Sequence, residues 1–314
     1  MSAPKANTRR AKPAAGLELP DVRLTHPERV VFPESGITKL ALAEHYVRVA
    51  PWMLPHVADR PLSLVRCPAG RGGPCFFQKH PPPGLSERVE RVVIDENDGP
   101  AEYLFVHDVE GLVSLVQFGA LELHVWQARK DRIERPDRLV FDLDPAPDVA
   151  WSEVIDAALL LREQLAQLDL ESFVKTTGGK GLHVVVPIDR TQTWEQAKRF
   201  ARAMADWLVR LQPDHFLATM SKAKRTGKIF IDYLRNERGA TAVAAYSTRA
   251  RTGAPVSTPV SWKELPKLTG AAAFMVTNLP ERLARLRTDP WGQLLGTRQA
   301  LRASMSKALE TANR

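Results

Sequence analysis

The sequence is poor in cysteine and has no long hydrophobic run. Cys67 and Cys75 are the two cysteines among 314 residues. Two cysteines cannot build a disulfide framework, so we expect both thiols to be reduced in a cytoplasmic protein. No apolar stretch approaches the ~20 residues that span a bilayer, which excludes an integral membrane protein. The basic amino terminus has no apolar h-region, so we expect no secretory signal.

The composition is otherwise that of an ordinary globular protein with an excess of base. Hydrophobic residues make up 44% of the chain and charged residues 25%, which excludes disorder throughout. Lysine and arginine number 44 against 36 acids, a net charge of +8. The length allows one large or two small domains. The positive charge points to a polyanionic partner such as a nucleic acid.

Patterning divides the chain into three parts. Residues 1–20 are basic and rich in Ala and Pro, which predicts a disordered tail or linker. Residues 21–300 show globular patterning, and 301–314 form a basic tail. Strands and helices alternate without a strict βαβ period, which favours an α+β (mixed α/β) fold over a Rossmann sheet.

Local signals predict several elements within the globular part. A helix follows Thr38 and ends at Pro51, and Ser152 caps another helix. Strands at 172–177 and 182–188 enclose a glycine-rich turn. These elements position the residues that carry chemistry.

Three aspartates are candidates for a cation site. Asp142 and Asp144 are two apart on a predicted strand, so their side chains share one face. They are either solvated acids at a strand end or ligands of a shared cation. Asp232 lies inside an apolar strand and is either a structural carboxylate bonded to Arg235 or Arg249, or a third ligand. Three carboxylates without a thiolate suit Mg²⁺ or Mn²⁺ rather than zinc.

The glycine-rich turn, TTGGKGLH, brings together donors that suit a phosphate group. Thr177, the N–H of Gly179, Lys180 and His183 lie within eight residues. The spacing is not that of a Walker A loop. The alternative is a hairpin turn with an exposed lysine and a core histidine.

Other residues suggest a surface for nucleic acid. The basic segment 221–251 brackets Asp232 and is either a solvated face or a track for a phosphate backbone; its first basic residues are Lys222, Lys224 and Arg225. Phe76 and Phe77 follow a flexible loop, where adjacent aromatics are either one core and one surface residue or a platform for a base. His124 faces opposite to its apolar neighbours and is a candidate cleft residue.

The ordered set of motifs resembles a known family. The segments, in chain order, are THPERVVFPESGITK, CFFQKHPPPG, ERPDRLVFDLDP, TTGGKGLHVVVPI and KIFIDYLRN. Each is weak alone, but together they cover about residues 25–250 and resemble the polymerase domain of bacterial ligase D, in the archaeo-eukaryotic primase superfamily. The resemblance implies a primase-polymerase core of two lobes, with mixed or antiparallel sheets and flanking helices around a central cleft.

The resemblance also implies an activity and its partners. It suggests a template-dependent nucleotidyltransferase that adds nucleotides, preferring ribonucleotides, to 3′ ends at DNA gaps and breaks in bacterial non-homologous end joining. The implied cofactors are two divalent cations, Mn²⁺ favoured and Mg²⁺ possible, with NTPs as substrate. The implied partners are DNA ends and gaps with a 5′-phosphate, Ku, and a ligase domain in the same or another chain.

By motif, the resemblance assigns roles to individual residues. The metal ligands and catalytic acids are Asp142, Asp144 and Asp232. The nucleotide-binding residues are Thr177, Gly179, Lys180, His183, His124, Arg235 and Arg249. The 5′-phosphate pocket has Lys39, Arg29 and His26. Phe76 and Phe77 stack on the template, and Lys222, Lys224 and Arg225 contact the DNA backbone. Thr177 stands where the family has serine, and His26 and Arg29 stand where it can show Asn and Lys.

Two other functions fit the same acids. A metal nuclease also uses clustered carboxylates, but it has no need of a triphosphate loop. A non-catalytic DNA-end-binding module would keep the fold without the activity, and the presence of all three acids argues against it.

Overall fold

The structure of the chain is a computed structural model that describes residues 19–311, so most of the predicted 1–20 tail lies outside the described residues. The described part contains six α-helices, which are α1 (Lys39–Val57), α2 (Val109–Gln117), α3 (Trp151–Ala166), α4 (Trp194–Leu211), α5 (Leu279–Arg285) and α6 (Ala303–Thr311). Its strands are β1 (Val30–Phe32), β2 (Ile37–Thr38), β3 (Leu62–Arg66), β4 (Phe76–Gln78), β5 (Glu90–Glu96), β6 (Gly99–Phe105), β7 (Ala120–Trp126), β8 (Arg138–Pro145), β9 (Phe173–Thr176), β10 (Leu182–Pro187), β11 (Phe216–Leu217), β12 (Ile229–Asp232), β13 (Thr241–Val243) and β14 (Pro259–Val260). None of the described helices has both the length and the apolar character that crossing a membrane requires.

Two large sheets form the centre of the described fold. Sheet I runs in the order β13-β7-β3-β6-β5, with β4 paired to β3, and its pairings are antiparallel. Sheet II runs in the order β11-β12-β8-β10-β9-β14 and is antiparallel except between β11 and β12. Strands and helices mixed in this way confirm the α+β prediction.

Each sheet has its own core, and β8 contributes to both. Buried residues of α1 and α2 pack with β3 and β7 in the first core. Leu139, Phe141 and Leu143 of β8 pack with α3, α4 and α6 in the second. Val140, on the opposite face of β8, joins the first core together with Val185 of β10. The two sheets therefore meet through this inner face of β8.

Two helix boundaries differ from the prediction. Helix α1 continues through Pro51 to Val57, because its last turns bury Met53 and Val57 completely. The same turns also contain Pro55. Full burial of two such side chains contributes ~1.5–3 kcal/mol each, which offsets much of the ~3 kcal/mol that each helix-interior proline costs. Helix α3 is capped by Glu153, which accepts from the N–H of Ala150, and not by Ser152.

The predicted glycine hairpin is present. Strands β9 and β10 pair antiparallel, with His183 opposite Lys175 in the ladder. Strand β10 pairs on its other side with β8, which places His183 opposite Asp142. The hairpin is thus built into sheet II beside the acidic strand.

The segment predicted as a basic C-terminal tail contains helix α6. Leu301, Met305 and Leu309 are buried in the second core, where α6 packs against α4. The described part of this segment, 301–311, therefore belongs to the folded unit. The boundaries of the three-part division stay a prediction.

The two cysteines are joined, which corrects the expectation of reduced thiols. Cys67 follows β3 and Cys75 precedes β4, and their Cα atoms are 4.3 Å apart in a disulfide. Because β3 and β4 pair with Arg66 opposite Phe76, the next residues along the hairpin are brought side by side. The sequence alone does not reveal this pairing, since the intervening glycine-rich loop carries no strand pattern.

Candidate active site

Strand β8 presents two acids on its inner face. Asp142 and Asp144 alternate with the buried Leu143. In the ladder between β8 and β12, Asp232 lies directly opposite Asp142. The sheet therefore brings together three acids that are up to 90 positions apart in the chain.

Arginine side chains lie between these carboxylates. Arg225 Nη1 donates to Asp144 Oδ2 at 2.9 Å. Arg235 Nε lies 3.1 Å from Asp232 Oδ2 and 3.4 Å from Asp142 Oδ2. Among residues 19–311, no three His, Cys, Asp or Glu side chains are close enough to hold a metal ion. The guanidinium groups balance the negative charge here, and the hard oxygen donors of the three acids fit Mg²⁺ or Mn²⁺ by chemistry.

The acids differ in how strongly they hold a proton. Burial raises the pKa of Asp142, but its contacts with His183 and Arg235 outweigh burial and hold that pKa below its ordinary value. Burial and the charge of Asp142 raise the pKa of Asp144, against the opposing effect of Arg225. Repulsion between the two β8 carboxylates is therefore present, as their spacing predicts.

The pKa of Asp232 is raised as well. Burial is the largest cause, Arg235 opposes it, and the charge of Asp142 adds to it. Asp232 is only 8% exposed and lies behind Arg235, which itself lines the cleft. A cation that binds Asp232 would have to displace this arginine.

The glycine loop closes against the acidic strand. Thr177 Oγ1 donates to the carbonyl of Gly181 at 2.9 Å and accepts from the N–H of Gly179 at 3.2 Å. A Cβ on Gly181 would collide with the carbonyl oxygen of Leu143, so only glycine allows this approach. Lys180 is exposed at the tip.

The acids and the loop line one cleft with a volume of about 340 Å³. Of the predicted site residues, it contains His124, Asp142, Asp144, Thr177, Gly179, Lys180, His183, Arg235 and Arg249. Its walls come from β7, β8, β13 and the glycine loop, so it lies between the two sheets. A cleft with acids at one side and an amide-lined loop at the other can hold a triphosphate together with its metal ions.

His183 is buried at the base of this cleft. Its Nε2 lies 3.4 Å from Asp142 Oδ1, and Nδ1 has no hydrogen-bond partner among the described residues. Burial and the nearby Lys175 lower the pKa of His183 to about 4, so the ring is neutral at pH 7. Lys175 donates to Ser257 Oγ at 2.6 Å and was missed by the sequence reasoning. A lysine inside an apolar strand is the same signal that singled out Asp232.

Glu122 is the second residue that the sequence reasoning missed. Its Oε2 accepts from His124 Nε2 and from Arg249 Nε, both at 2.9 Å. Its Oε1 accepts from the N–H of Ala250, and Arg249 also donates to the carbonyl of Thr177. Burial raises the pKa of Glu122, but the hydrogen bond from His124 and the charge of Arg249 lower it to about 2. This ionised carboxylate therefore orients two predicted nucleotide-binding side chains.

Comparison with known proteins identifies the family to which this fold belongs. Residues 38–291 match the family described as the LigD primase-polymerase domain. This chain belongs to that family. The multifunctional non-homologous end joining protein LigD of Pseudomonas aeruginosa is 44% identical over 293 residues, which cover 92% of this chain and 34% of that protein. The bifunctional end joining protein LigD of Bacillus subtilis is 27% identical over 268 residues, covering 85% of this chain and 43% of that protein.

A solved structure agrees with the family assignment. The polymerase domain from Mycobacterium tuberculosis ligase D, in complex with DNA, matches with a TM-score of 0.81 and 33% identity, over 87% of this chain and 97% of that one. The resemblance found in the ordered motifs is thus confirmed. As a LigD primase-polymerase domain, the chain is a nucleotidyltransferase of the polymerase type. It spans about a third of the length of the P. aeruginosa relative.

Two aromatics stand out on the surface of this LigD-type domain. Phe76 is 46% exposed and Phe77 is 57% exposed, so neither is a core residue. The Phe77 ring packs edge-on to His124, with 5.8 Å between centroids, at the rim of the cleft. The guanidinium of Arg66 lies 5.3 Å over the Phe76 ring. Exposure of both rings beside the cleft suits stacking on a base.

The residues predicted to bind a 5′-phosphate gather around the start of α1. Lys39 is the first residue of that helix, and its Nζ donates to the carbonyl of Thr25 at 2.8 Å. Arg29 is exposed and donates to the carbonyl of Pro68, in the loop that follows β3, and His26 is exposed as well. Burial and the charge of Arg29 lower the pKa of Lys39. Lys39 is more enclosed than a free surface charge, so a phosphate would compete with the Thr25 carbonyl.

The basic run after α4 is only partly a surface track. Lys224 is exposed, whereas Arg225 donates a hydrogen bond to Asp144. The side chain of Lys222 lies outside the described part of the structure. Arg238, further along, pairs with Glu134. The run is therefore divided between the cleft and the surface.

Replacing Glu122 with Gln should weaken nucleotide use. The amide keeps the shape but loses the charge that holds Arg249 and His124, and a charge-assisted hydrogen bond contributes ~1.5–3 kcal/mol. We expect kcat/KM for the nucleotide to fall by about 10-fold or more, mainly through KM. Steady-state extension at varied NTP concentration measures this.

The matched control for this variant is Glu134→Gln. Glu134 also pairs with an arginine, but Glu134 is exposed and its partner Arg238 does not line the cleft, whereas Arg249 does. It should leave KM unchanged. Equal kinetics for Glu122→Gln and wild type, in a protein of unchanged melting temperature, would show that Glu122 has no positioning role.

Proposed function

We propose that the chain is a template-dependent polymerase that adds nucleotides to 3′ ends at DNA gaps and breaks in bacterial non-homologous end joining. A preference for ribonucleotides, and a reaction assisted by two divalent cations with Mn²⁺ favoured over Mg²⁺, are part of the proposal. The relatives' names supply the end-joining context, and the similar M. tuberculosis domain was solved with DNA.

One observation carries the proposal: the acids of β8 and the glycine loop line the same cleft. Nucleotide transfer needs carboxylates near the reacting oxygen and a positive, amide-rich loop for the triphosphate. A nuclease would need only the acids. Closure of the loop onto the acidic strand, through Gly181 against Leu143, therefore favours polymerisation over hydrolysis.

The proposed roles follow from position. Asp142, Asp144 and Asp232 would hold the divalent cations, which when bound would lower the pKa of the primer 3′-hydroxyl and stabilise the leaving pyrophosphate. Lys180 and the N–H of Gly179 would bind the triphosphate at the loop.

The remaining cleft side chains orient the nucleotide. Arg249 and His124, both held by Glu122, would contact the nucleotide from the sheet I side of the cleft. Neutral His183 would fix the orientation of Asp142 through Nε2, and its Nδ1, which has no partner within residues 19–311, is available to a further group. These side chains position charge rather than take part in bond making.

The proposed DNA contacts lie around the cleft. Phe76 and Phe77 would stack on the template at a break, and Lys222, Lys224 and Arg225 would follow the DNA backbone. Lys39, Arg29 and His26 would receive the 5′-phosphate on the far side of a gap. Ku and a ligase domain, in the same or another chain, are the proposed protein partners.

A primer-extension experiment tests the proposed function. The substrate is a gapped duplex with a 5′-phosphate, and the arms compare rNTPs with dNTPs in Mn²⁺ and in Mg²⁺. We expect template-directed addition, faster with rNTPs and with Mn²⁺. Shortening of the primer without addition would identify a nuclease, and DNA binding without either product would identify a non-catalytic end-binding module.

Lys39→Ala should reduce the preference for a phosphorylated gap. Loss of one charge-assisted contact to phosphate costs ~1.5–3 kcal/mol of binding free energy, so we expect the preference for 5′-phosphate over 5′-hydroxyl to fall about 10-fold. Extension of an open primer-template should change little. Competition between the two gapped substrates measures the ratio.

Lys198→Ala is the control for this variant, since Lys198 is a partly exposed lysine of α4 that pairs with Glu237. It should keep the wild-type ratio. If the wild-type protein extends phosphorylated and hydroxyl gaps equally, the proposed phosphate pocket around α1 is wrong.

A further inference from the structure

A second large pocket lies at the opposite end of β8 from the acids. Its volume is about 360 Å³, similar to that of the catalytic cleft, and the two share no lining residue. Arg138, which lines it, is four residues before Asp142 on the same face of β8, or ~13 Å along the strand. We call it the arginine pocket, because its charged lining residues are Arg129, Arg138, Arg190, Arg298, Asp137 and Asp189.

Arg138 is buried in this pocket beside Asp137, a carboxylate that it shares with other arginines. It is 4% exposed, and its Nε has no hydrogen-bond partner among the described residues. Asp137 Oδ1 lies 3.4 Å from that Nε, but the same carboxylate already receives two hydrogen bonds from Arg60. Arg60, Arg129 and Arg138 therefore share one carboxylate, which leaves an excess of positive charge that a bound anion would offset.

Neighbouring arginines increase the positive charge. Burial and Arg60 lower the pKa of Arg138 to about 9. Arg298, at the exposed mouth, donates to the main-chain carbonyl of Leu295 and not to a carboxylate. Arg190 is held in place by both oxygens of Asp131. Planar guanidinium groups in fixed positions match the geometry of a phosphate group.

The rest of the lining limits the size and kind of ligand. Leu294, Leu295, Pro187 and Ile188 form an apolar wall beside the arginines. A pocket of this volume holds a small organic molecule. Because the side chain of Arg138 is only 5% exposed, a phosphate has to enter the pocket to reach it. A terminal phosphate can do so, whereas a phosphate within a duplex backbone is flanked by sugars and cannot.

The pocket is separate from the catalytic cleft. Between Arg138 and His183 the two sheets leave a cavity of about 10 Å³, which admits no more than a water molecule. A phosphorylated product therefore cannot pass from one site to the other through the interior. Whatever binds the arginine pocket enters from its own mouth.

We propose that the arginine pocket binds the terminal phosphate of a small organic phosphate, with Arg138 as the central donor and the leucine wall against the organic part. This site is distinct from the triphosphate site of the polymerase cleft.

Isothermal titration calorimetry with 5′-AMP and with pyrophosphate, in EDTA, tests the proposal. The background is Lys180→Ala, which removes the loop charge of the catalytic cleft. We expect Arg138→Gln to weaken 5′-AMP binding roughly 10- to 100-fold, since it removes a charge-assisted contact. Arg202→Gln, an exposed arginine on α4, is the charge-matched control and should bind like the parent.

The melting temperature and a second variant distinguish a loss of binding from a loss of folding. For the charged Arg138 side chain, burial and repulsion from Arg60 outweigh the attraction of Asp137, so the melting temperature of Arg138→Gln should equal or exceed that of the parent. If it fails to fold, Arg298→Gln at the mouth replaces it, with an expected weakening of about 3-fold. Pyrophosphate binding without 5′-AMP binding would reject the organic part of the ligand. Unchanged 5′-AMP affinity in the variant would overturn the proposal.

Discussion

Replacing Asp142 or Asp144 with Asn should reduce nucleotide addition by at least about 100-fold. Each change removes a charged oxygen donor from the proposed cation site, and ~3 kcal/mol of lost transition-state stabilisation corresponds to this factor. The isosteric amide leaves the packing of β8 intact. Single-turnover incorporation on a gapped duplex measures the loss.

Stability should separate the two variants. Asp144 has a pKa raised by burial and by Asp142, so Asp144→Asn relieves repulsion and should keep or raise the melting temperature. His183 and Arg235 stabilise Asp142 as the anion, so Asp142→Asn should lower the melting temperature. A catalytic loss in both variants, despite opposite effects on stability, would not be explained by unfolding.

Asp148→Asn is the control for both variants. Asp148 follows β8 and accepts from the N–H of Gly227, outside the catalytic cleft. It should extend primers at the wild-type rate. If Asp142→Asn retained extension within a few-fold of wild type, the carboxylates of β8 would not be the catalytic acids.

Asp137→Ala should destabilise the fold by ~3–5 kcal/mol. Asp137 binds Arg60 through both oxygens, and the Arg60 side chain is completely buried. Removing one partner of a buried pair leaves an uncompensated charge, which accounts for an effect of this size. Urea unfolding of both proteins measures the difference. Asp131→Ala breaks a similar pair with Arg190, but Asp131 is 60% exposed, so the change should be ~0–1 kcal/mol.

The contribution of Asp137 should also depend on pH. Burial raises its pKa, but Arg60 and Arg138 outweigh burial and hold it well below the ordinary value. A carboxyl with a depressed folded pKa stabilises the fold fully above its unfolded pKa of about 4, and this stabilisation is lost as pH falls toward the folded pKa. The gap between wild type and Asp137→Ala should therefore be constant from pH 5 to 7 and narrow below about pH 4. A gap that widens in acid would contradict the assigned pKa direction.

Much of the site could be predicted because its signals are local. Alternation along β8 places Asp142 and Asp144 on one face whatever the rest of the fold does. The glycines around Lys180 predict a tight turn, and β9 and β10 pair on either side of it. Motif order then indicated the family, which the comparisons confirm.

Other features could not be predicted because they depend on distant contacts. Glu122 reads as an ordinary strand acid, and only its contact with Arg249, 127 positions away, gives it a positioning role. The disulfide depends on the pairing of β3 with β4. Helix α1 passes Pro51 because burial of its last turns outweighs the local helix-breaking signal.

The sequence by itself determined the fold class, the acidic strand, the glycine loop and the family, since each is encoded within a few residues or in the order of short motifs. Only the tertiary structure decided which charges meet: Arg225 with Asp144 across 81 positions, and Arg60 with Asp137 across 77. It also gathered Arg60, Arg129 and Arg138 around the single carboxylate of Asp137 at the other end of the same strand. The physical reason is that the free energy of a charge is determined by what surrounds it after folding, and sequence neighbours do not report those surroundings.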